Sequence, residues 1–151
     1  MQVKTISNDA FFAQVEELID SGSEVYLRVR GNSMRPWLRN GRGTVILRRH
    51  TDEELRRGAI VLFRCNGHHI LHRIVSRSGD CLTLAGDGNY LITEHCRTCD
   101  VVAVARASVS RRGRIVPCES LSWRLRWQLW LATPALCRRF ILSALWRLGW
   151  R

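Results

Sequence analysis

Six short apolar runs separated by turn residues constrain the fold of this chain more than any other feature of its sequence. They lie between residues 24 and 109 and read EVYLRVR, GTVILRR, AIVLFRC, HHILHRIVS, CLTLAG and DVVAVARASV. Runs of this length that are rich in Val, Ile and Leu are typical of β-strands, and their close spacing favours hairpins. We therefore predict a mainly β, mostly antiparallel domain over residues 23–117.

The segments on either side of this region repeat their apolar residues with the 3.6-residue period of an amphipathic helix. Residues 1–22 predict one short N-terminal helix. Residues 118–151 predict two helices, because Pro134 interrupts the pattern. The apolar stripe of the first is Trp123, Trp127, Trp130 and Leu131, and that of the second is Leu136, Phe140, Ile141, Leu145 and Leu148.

The C-terminal segment holds most of the charge of the chain. The net charge is +11, and residues 111–151 carry nine arginines against one acid, Glu119. The longest uncharged run in this segment has 11 residues, whereas a spanning helix needs about 20. Tryptophan and leucine on one face with arginine on the other favour peripheral binding to an anionic membrane surface. A helical hairpin packed on the β domain or on a partner explains the pattern equally well, and nucleic acid is disfavoured because no binding module accompanies the charge.

The six cysteines predict free thiols. The chain opens with MQVKTISNDAFF, which has no apolar signal region, so we expect a reducing compartment and a cytoplasmic protein, with peripheral attachment to the inner face of the membrane as an option. Cys96 and Cys99 have CxxC spacing, and nearby histidines could complete a zinc site. A single CxxC is weak evidence. We therefore predict no metal and no other cofactor.

Ser33 in GNSMRPWL is the first candidate for catalysis, because it lies at a bend between Gly31-Asn32 and an X-Pro pair. A nucleophilic serine needs a base and a group that orients the base. His72 in ILHRIV and Asp87 in LAGDGNY follow in chain order. Each has an ordinary structural explanation when taken alone, as a turn serine, a hydrogen-bonded histidine and a hairpin aspartate.

Taken together, Ser-Met-X-Pro, then His-Arg on an apolar strand, then Gly-Asp-X-Asn resembles the signal peptidase I and LexA-type serine peptidases. The resemblance covers residues 24–116 and is closest to the Ser-His branch of endoplasmic-reticulum and archaeal type. Other members of these groups use a lysine base. The only lysine here is Lys4, far upstream, and arginine stays protonated, so a Ser-Lys dyad is disfavoured.

The resemblance implies a LexA/signal-peptidase-like β domain and a serine endopeptidase that cleaves an extended leader or signal peptide of a precursor after a small residue. It implies that Ser33 is the nucleophile, that its N–H binds the oxyanion and that His72 is the general base. Asp87 would orient His72, with Glu94 as the other candidate, and the choice between these two acids stays open. The implied substrate-binding residues are Met34 and Pro36.

The chain departs from the signal peptidase pattern because no membrane-spanning helix precedes Ser33. Two other functions therefore stay open. One is a catalytically inactive β module that binds peptide or membrane. The other is a LexA-like self-cleaving regulator, which we expect least, since the 32 residues before Ser33 leave no room for a separate DNA-binding domain.

Overall fold

The computed structural model describes residues 8–89 and 91–149, and within them eight strands form one antiparallel sheet flanked by three α-helices. The strands are β1 Val25–Arg28, β2 Thr44–Arg48, β3 Ile60–Cys65, β4 His68–Ser78, β5 Cys81–Ala85, β6 Glu94–Arg97, β7 Val101–Val109 and β8 Ile115–Pro117. The helices are α1 Asn8–Asp20, α2 Leu121–Ala132 and α3 Ala135–Arg147. The predicted fold class, mainly β with one short N-terminal and two C-terminal helices, is confirmed.

The sheet has the strand order β1-β2-β7-β3-β4-β5-β6, and β8 pairs with β7 as well. Several strand edges stay unpaired within the described residues, and two of them border the site described below. One is the outer edge of β1, which pairs only with β2. The other belongs to residues 68–72 of β4, because β5 pairs with β4 only from Arg73 onward. An unpaired edge offers backbone N–H and C=O groups to an added strand.

Buried apolar side chains form two clusters. The first contains Val15 and Ile19 of α1, Leu47 and Leu62 of the sheet, and Trp123 of α2. The second contains Phe63, Ile74, Leu82 and Leu84, among others. Because Trp123 shares a cluster with α1 and the sheet, α2 is packed into the same unit as the β domain.

The two C-terminal helices differ in how they pack. Ser120 caps α2, accepting a hydrogen bond from the Trp123 N–H, and Pro134 separates α2 from α3 as predicted. Helix α2 buries Trp123 and Trp130, whereas α3 buries none of its side chains. No helix in the described part of the chain is long and apolar enough to cross a membrane.

Candidate active site

Ser33 lies half-buried in the loop between β1 and β2, at a sharp bend of the chain. Gly31 before it has a φ of +86°, a conformation that glycine adopts without steric cost. Met34 and Pro36 after it are both buried. The Gly88 N–H donates a hydrogen bond of 2.8 Å to the Ser33 carbonyl. The Ser33 backbone is thus held through its carbonyl, while the residue lines an open groove.

Gly86 lies where the serine loop approaches His72. A Cβ atom at this position would lie 2.3 Å from the Ser33 carbonyl oxygen and 3.0 Å from Nε2 of His72. The first distance is far inside van der Waals contact, so no side chain fits here without moving the backbone. The Ser33 backbone and the His72 imidazole therefore meet around one glycine.

His72 is 4% exposed, and its Nδ1 lies 2.8 Å from a carboxylate oxygen of Glu94. Strand alternation explains this contact. Leu84 of β5 pairs with Ile74 of β4 and with Glu94 of β6, and directly opposed residues share one face of a sheet. His72 is two residues from Ile74 and so shares that face as well. An imidazole that donates from Nδ1 to a carboxylate presents Nε2 as its proton acceptor.

Asp87 contacts Arg73, whereas Glu94, the other candidate for orienting His72, is the acid bonded to that histidine. The Asp87 carboxylate accepts hydrogen bonds of 2.8 and 2.6 Å from Nε and one terminal nitrogen of Arg73. Arg73 is 0% exposed and also donates to the Gly58 carbonyl at 2.7 Å. His72 and Arg73 are neighbours on one strand and face opposite sides. Asp87 therefore neutralises a buried cation on the far side of β4.

The Ser33 backbone lies near the His72 imidazole, but the Ser33 hydroxyl is not bonded to that ring. Among the residues that the structure describes, no hydrogen bond joins them. Catalytic hydrogen bonds are commonly long without substrate and shorten when it binds. The structure thus places the Ser33 loop, His72 and Glu94 next to one another. The Asp87 carboxylate lies on the opposite side of β4, where it binds Arg73.

Helix α2 packs on the β domain, which was one of the two options for this segment, and its tryptophans contact the turn that carries Asp87. The indole Nε1 of Trp130 donates a 2.8 Å hydrogen bond to the Asp87 carbonyl. Trp127 covers Gly58, where a Cβ would lie 2.2 Å from its ring, and the Arg73 guanidinium lies 5.9 Å from the centre of the same ring. The turn 86–88 and its buried ion pair are therefore enclosed by tryptophans from outside the sheet.

A groove with a volume of about 860 Å³ leads to Ser33. Its walls are the unpaired edge of β1, the first half of β4 and helix α1. The side chains that line it are Asn8, Phe11, Phe12, Tyr26, Leu27, Arg28, Val29, Arg30, Ser33, Met34, Leu62, His69, Ile70 and Leu71. Of the two predicted substrate-binding residues, Met34 belongs to this wall and Pro36 does not.

Comparison with protein families gives one result that decides the classification. The family model described as Peptidase S24-like matches residues 2–105, more than half of the chain. The chain belongs to the Peptidase S24-like family. Comparisons with curated proteins and with solved structures give no match.

Membership in the S24-like family supports a serine peptidase in general. The matched residues contain the serine loop, β4 with His72, the turn with Asp87 and β6 with Glu94. Helices α2 and α3 lie beyond the match, so the tryptophans that enclose the turn come from outside the family region.

No hydrogen bond described for this site involves a cysteine. Burial and the nearby Asp100 raise the pKa of Cys96 to about 12. Burial raises the pKa of Cys118 to about 11, with a smaller opposing effect of Arg73. Within residues 8–89 and 91–149, no group of three or more His, Cys, Asp or Glu side chains could hold a metal ion. The six thiols are unpaired.

Proposed function

We propose that the chain is a Ser-His endopeptidase that cleaves an extended segment of a precursor after a small residue. Ser33 is the nucleophile, His72 the general base and Glu94 the carboxylate that orients the base. The observation that carries this proposal is the 2.8 Å contact between Nδ1 of His72 and Glu94, together with the position of Nε2 next to the serine loop.

The chemistry follows from this arrangement. Nε2 of His72 takes the proton as the Ser33 hydroxyl attacks the scissile carbonyl, and the imidazolium that forms is stabilised by Glu94. His72 then returns the proton to the leaving amine as the C–N bond breaks. Water, activated by the same imidazole, hydrolyses the acyl-enzyme and frees Ser33. Among the described residues no hydrogen bond uses the Ser33 N–H, which supports its role as an oxyanion donor.

The groove supports an extended substrate. The free edges of β1 and of residues 68–72 both offer unpaired backbone groups, and a peptide in strand conformation can bond to such edges while alternate side chains enter pockets. The wall beside the nucleophile is formed by Met34 and Leu62, both 1% exposed. A closely packed apolar wall of this kind favours a small residue next to the scissile bond.

A self-cleaving activity is the second candidate, and the family match favours it because that family includes LexA-type proteins. The two candidates differ in what the pure protein does alone. A self-cleaving chain shortens with a rate independent of its concentration, whereas an endopeptidase stays intact and cuts other peptides.

The experiment uses the purified full chain and a mixture of peptides from a protein digest, with new termini identified by mass spectrometry. We expect cleavage after small residues that is abolished in Ser33→Ala and in His72→Ala. The matched control is Ser23→Ala, an exposed turn serine, which keeps full activity. Cleavage that persists in Ser33→Ala would disprove the assignment, and an intact wild-type chain that cuts nothing would favour an inactive binding module.

A further inference from the structure

Helices α2 and α3 leave many large apolar side chains exposed to solvent. Of the exposed large apolar side chains in the described residues, eight lie on these two helices or directly after α3. They are Leu121, Leu125, Leu129, Leu136, Phe140, Ile141, Trp146 and Leu148. We call this set the outer face. Large apolar side chains left exposed in one segment indicate an interaction site.

Helix α2 is apolar on two opposite sides. Its tryptophan stripe is buried against the β domain, while Leu121, Leu125 and Leu129 follow one another at four-residue intervals and are 71, 48 and 70% exposed. On a helical wheel these leucines lie opposite Trp123 and Trp127. Packing on the domain therefore accounts for the tryptophans and leaves the leucines without a function in the fold.

The charges around the outer face indicate what covers it. The sequences of α2 and α3 contain five arginines and no acid. Arg138 is used inside the hairpin, where it donates to the Thr133 carbonyl at 2.8 Å. Arg124, Arg126, Arg139 and Arg147 are exposed. In α2, Arg124 and Arg126 flank the leucine stripe, one on each side, so the apolar stripe is bordered by cations.

We propose that the outer face of the α2–α3 hairpin binds the surface of an anionic lipid bilayer. Apolar side chains enter the boundary between headgroups and acyl chains, and the flanking arginines contact lipid phosphates. A partner protein of neutral surface would not use the arginines. A second copy of this chain would oppose one set of arginines to another, because the face is self-repelling. An anionic bilayer complements both features.

Full-length protein is required for the test. A chain that ends before α2 lacks Trp123, Trp127 and Trp130, so it loses part of the core as well as the outer face. The probe is sedimentation with vesicles of phosphatidylglycerol mixed with phosphatidylcholine, or of phosphatidylcholine alone, at low and high salt. We expect binding to the anionic vesicles that weakens as salt rises.

Substitutions on the outer face separate the apolar contribution to vesicle binding from the electrostatic one. Leu125→Gln with Leu129→Gln removes apolar contact without touching the core, and we expect at least a tenfold loss of binding. Arg126→Gln should reduce binding roughly fivefold. The matched controls are Leu18→Gln on α1 and Arg97→Gln on β6, both exposed positions outside the hairpin, and these bind as the wild type does.

Three results would overturn the proposal. The first is no binding of the wild type to anionic vesicles, and the second is equal binding to neutral and anionic vesicles at all salt concentrations. The third is a dimer in light scattering that Leu125→Gln with Leu129→Gln dissociates, combined with no vesicle binding, since that would make the outer face a contact between copies. Ser33→Ala binds vesicles like the wild type whatever the outcome for peptidase activity.

Discussion

The indole N–H of Trp130 and the backbone carbonyl of Asp87 are joined by a hydrogen bond of 2.8 Å. Trp130 is 5% exposed and Asp87 2% exposed, so this bond is shielded from water. The same aspartate holds Arg73 with its side chain, while Gly88 beside it holds the Ser33 carbonyl. One residue of α2 is thereby coupled to the turn that positions the candidate nucleophile.

Replacement of Trp130 by phenylalanine keeps an aromatic ring but removes the donor. A buried carbonyl left without its partner costs about 1–3 kcal/mol, so we expect the free energy of unfolding to fall by that amount and peptidase activity to fall with it. Urea denaturation followed by circular dichroism measures the first effect. Trp146→Phe, at a position 56% exposed, should change stability by no more than about 0.5 kcal/mol. Equal effects of the two substitutions would contradict the proposed support by α2.

The two acids near the site should respond to neutralisation in opposite ways. Asp87→Asn leaves the buried Arg73 charge uncompensated, and we expect a loss of stability of about 3–5 kcal/mol. Glu94→Gln affects a side chain that is 20% exposed, so stability should change little. Catalysis should instead fall on the order of a hundredfold or more, because His72 loses the group that orients it.

The measurement for this pair is a denaturation curve and a cleavage rate on each variant. The assignment would be wrong if Asp87→Asn lost most of its cleavage rate at a temperature where it stays folded while Glu94→Gln kept a normal rate. Asp87 would then be the residue that orients His72.

Gly86→Ala should disrupt the site because its new methyl group would lie 2.3 Å from the Ser33 carbonyl oxygen. Overpacking of this kind costs about 1–3 kcal/mol and shifts the backbone. We expect at least a hundredfold loss of cleavage rate. Gly43→Ala is the control, because the nearest atom to its Cβ lies 3.4 Å away. A fully active Gly86→Ala enzyme would show that the serine loop and His72 do not need this close approach.

Cysteine reactivity tests the packing independently of catalysis. The raised pKa values of Cys96, about 12, and Cys118, about 11, keep both thiols protonated at neutral pH, and a thiol reacts as its thiolate. We expect iodoacetamide to alkylate the exposed Cys81, Cys99 and Cys137 first, as followed by mass spectrometry. Alkylation of the two protected thiols should accelerate as the pH rises toward 11 or when the chain is denatured. Uniform labelling of the native protein would contradict the structure.

Much of the fold could be predicted from the sequence because its strands carry strong apolar runs. All six runs form strands, whereas β6 and β8 were missed. The sequence of β6 is EHCR, four residues at the end of the sheet with no residue fully buried, so it carries no apolar pattern. The strand β8 has three residues and is similarly short. Pairing with a neighbour, and not local propensity, makes these segments extended.

The candidate site shows a different limit on what can be predicted from the sequence. Ser33, His72 and Asp87 could be selected from their motifs, but the choice between Asp87 and Glu94 depends on strand register, which the missed β6 determines. The adjacent positions of His72 and Arg73 on one strand were the available signal. Because successive side chains of a strand point to opposite faces of the sheet, an acid that binds Arg73 cannot also orient His72. In α2, the predicted stripe of Trp123, Trp127, Trp130 and Leu131 is the side that the structure buries or half-buries. Periodicity did not reveal that the opposite side of the same helix carries a second, exposed row of leucines, Leu121, Leu125 and Leu129.

The dependence of the active-site turn on α2 also has a consequence for biosynthesis. Asp87 and Trp130 are 43 positions apart in the chain, so the ribosome releases the serine loop, the base and the turn well before the tryptophan that supports them. We expect a nascent chain to acquire a competent nucleophile only after Trp130 has emerged. Order of synthesis would then delay proteolysis until α2 has been made and can pack on the turn.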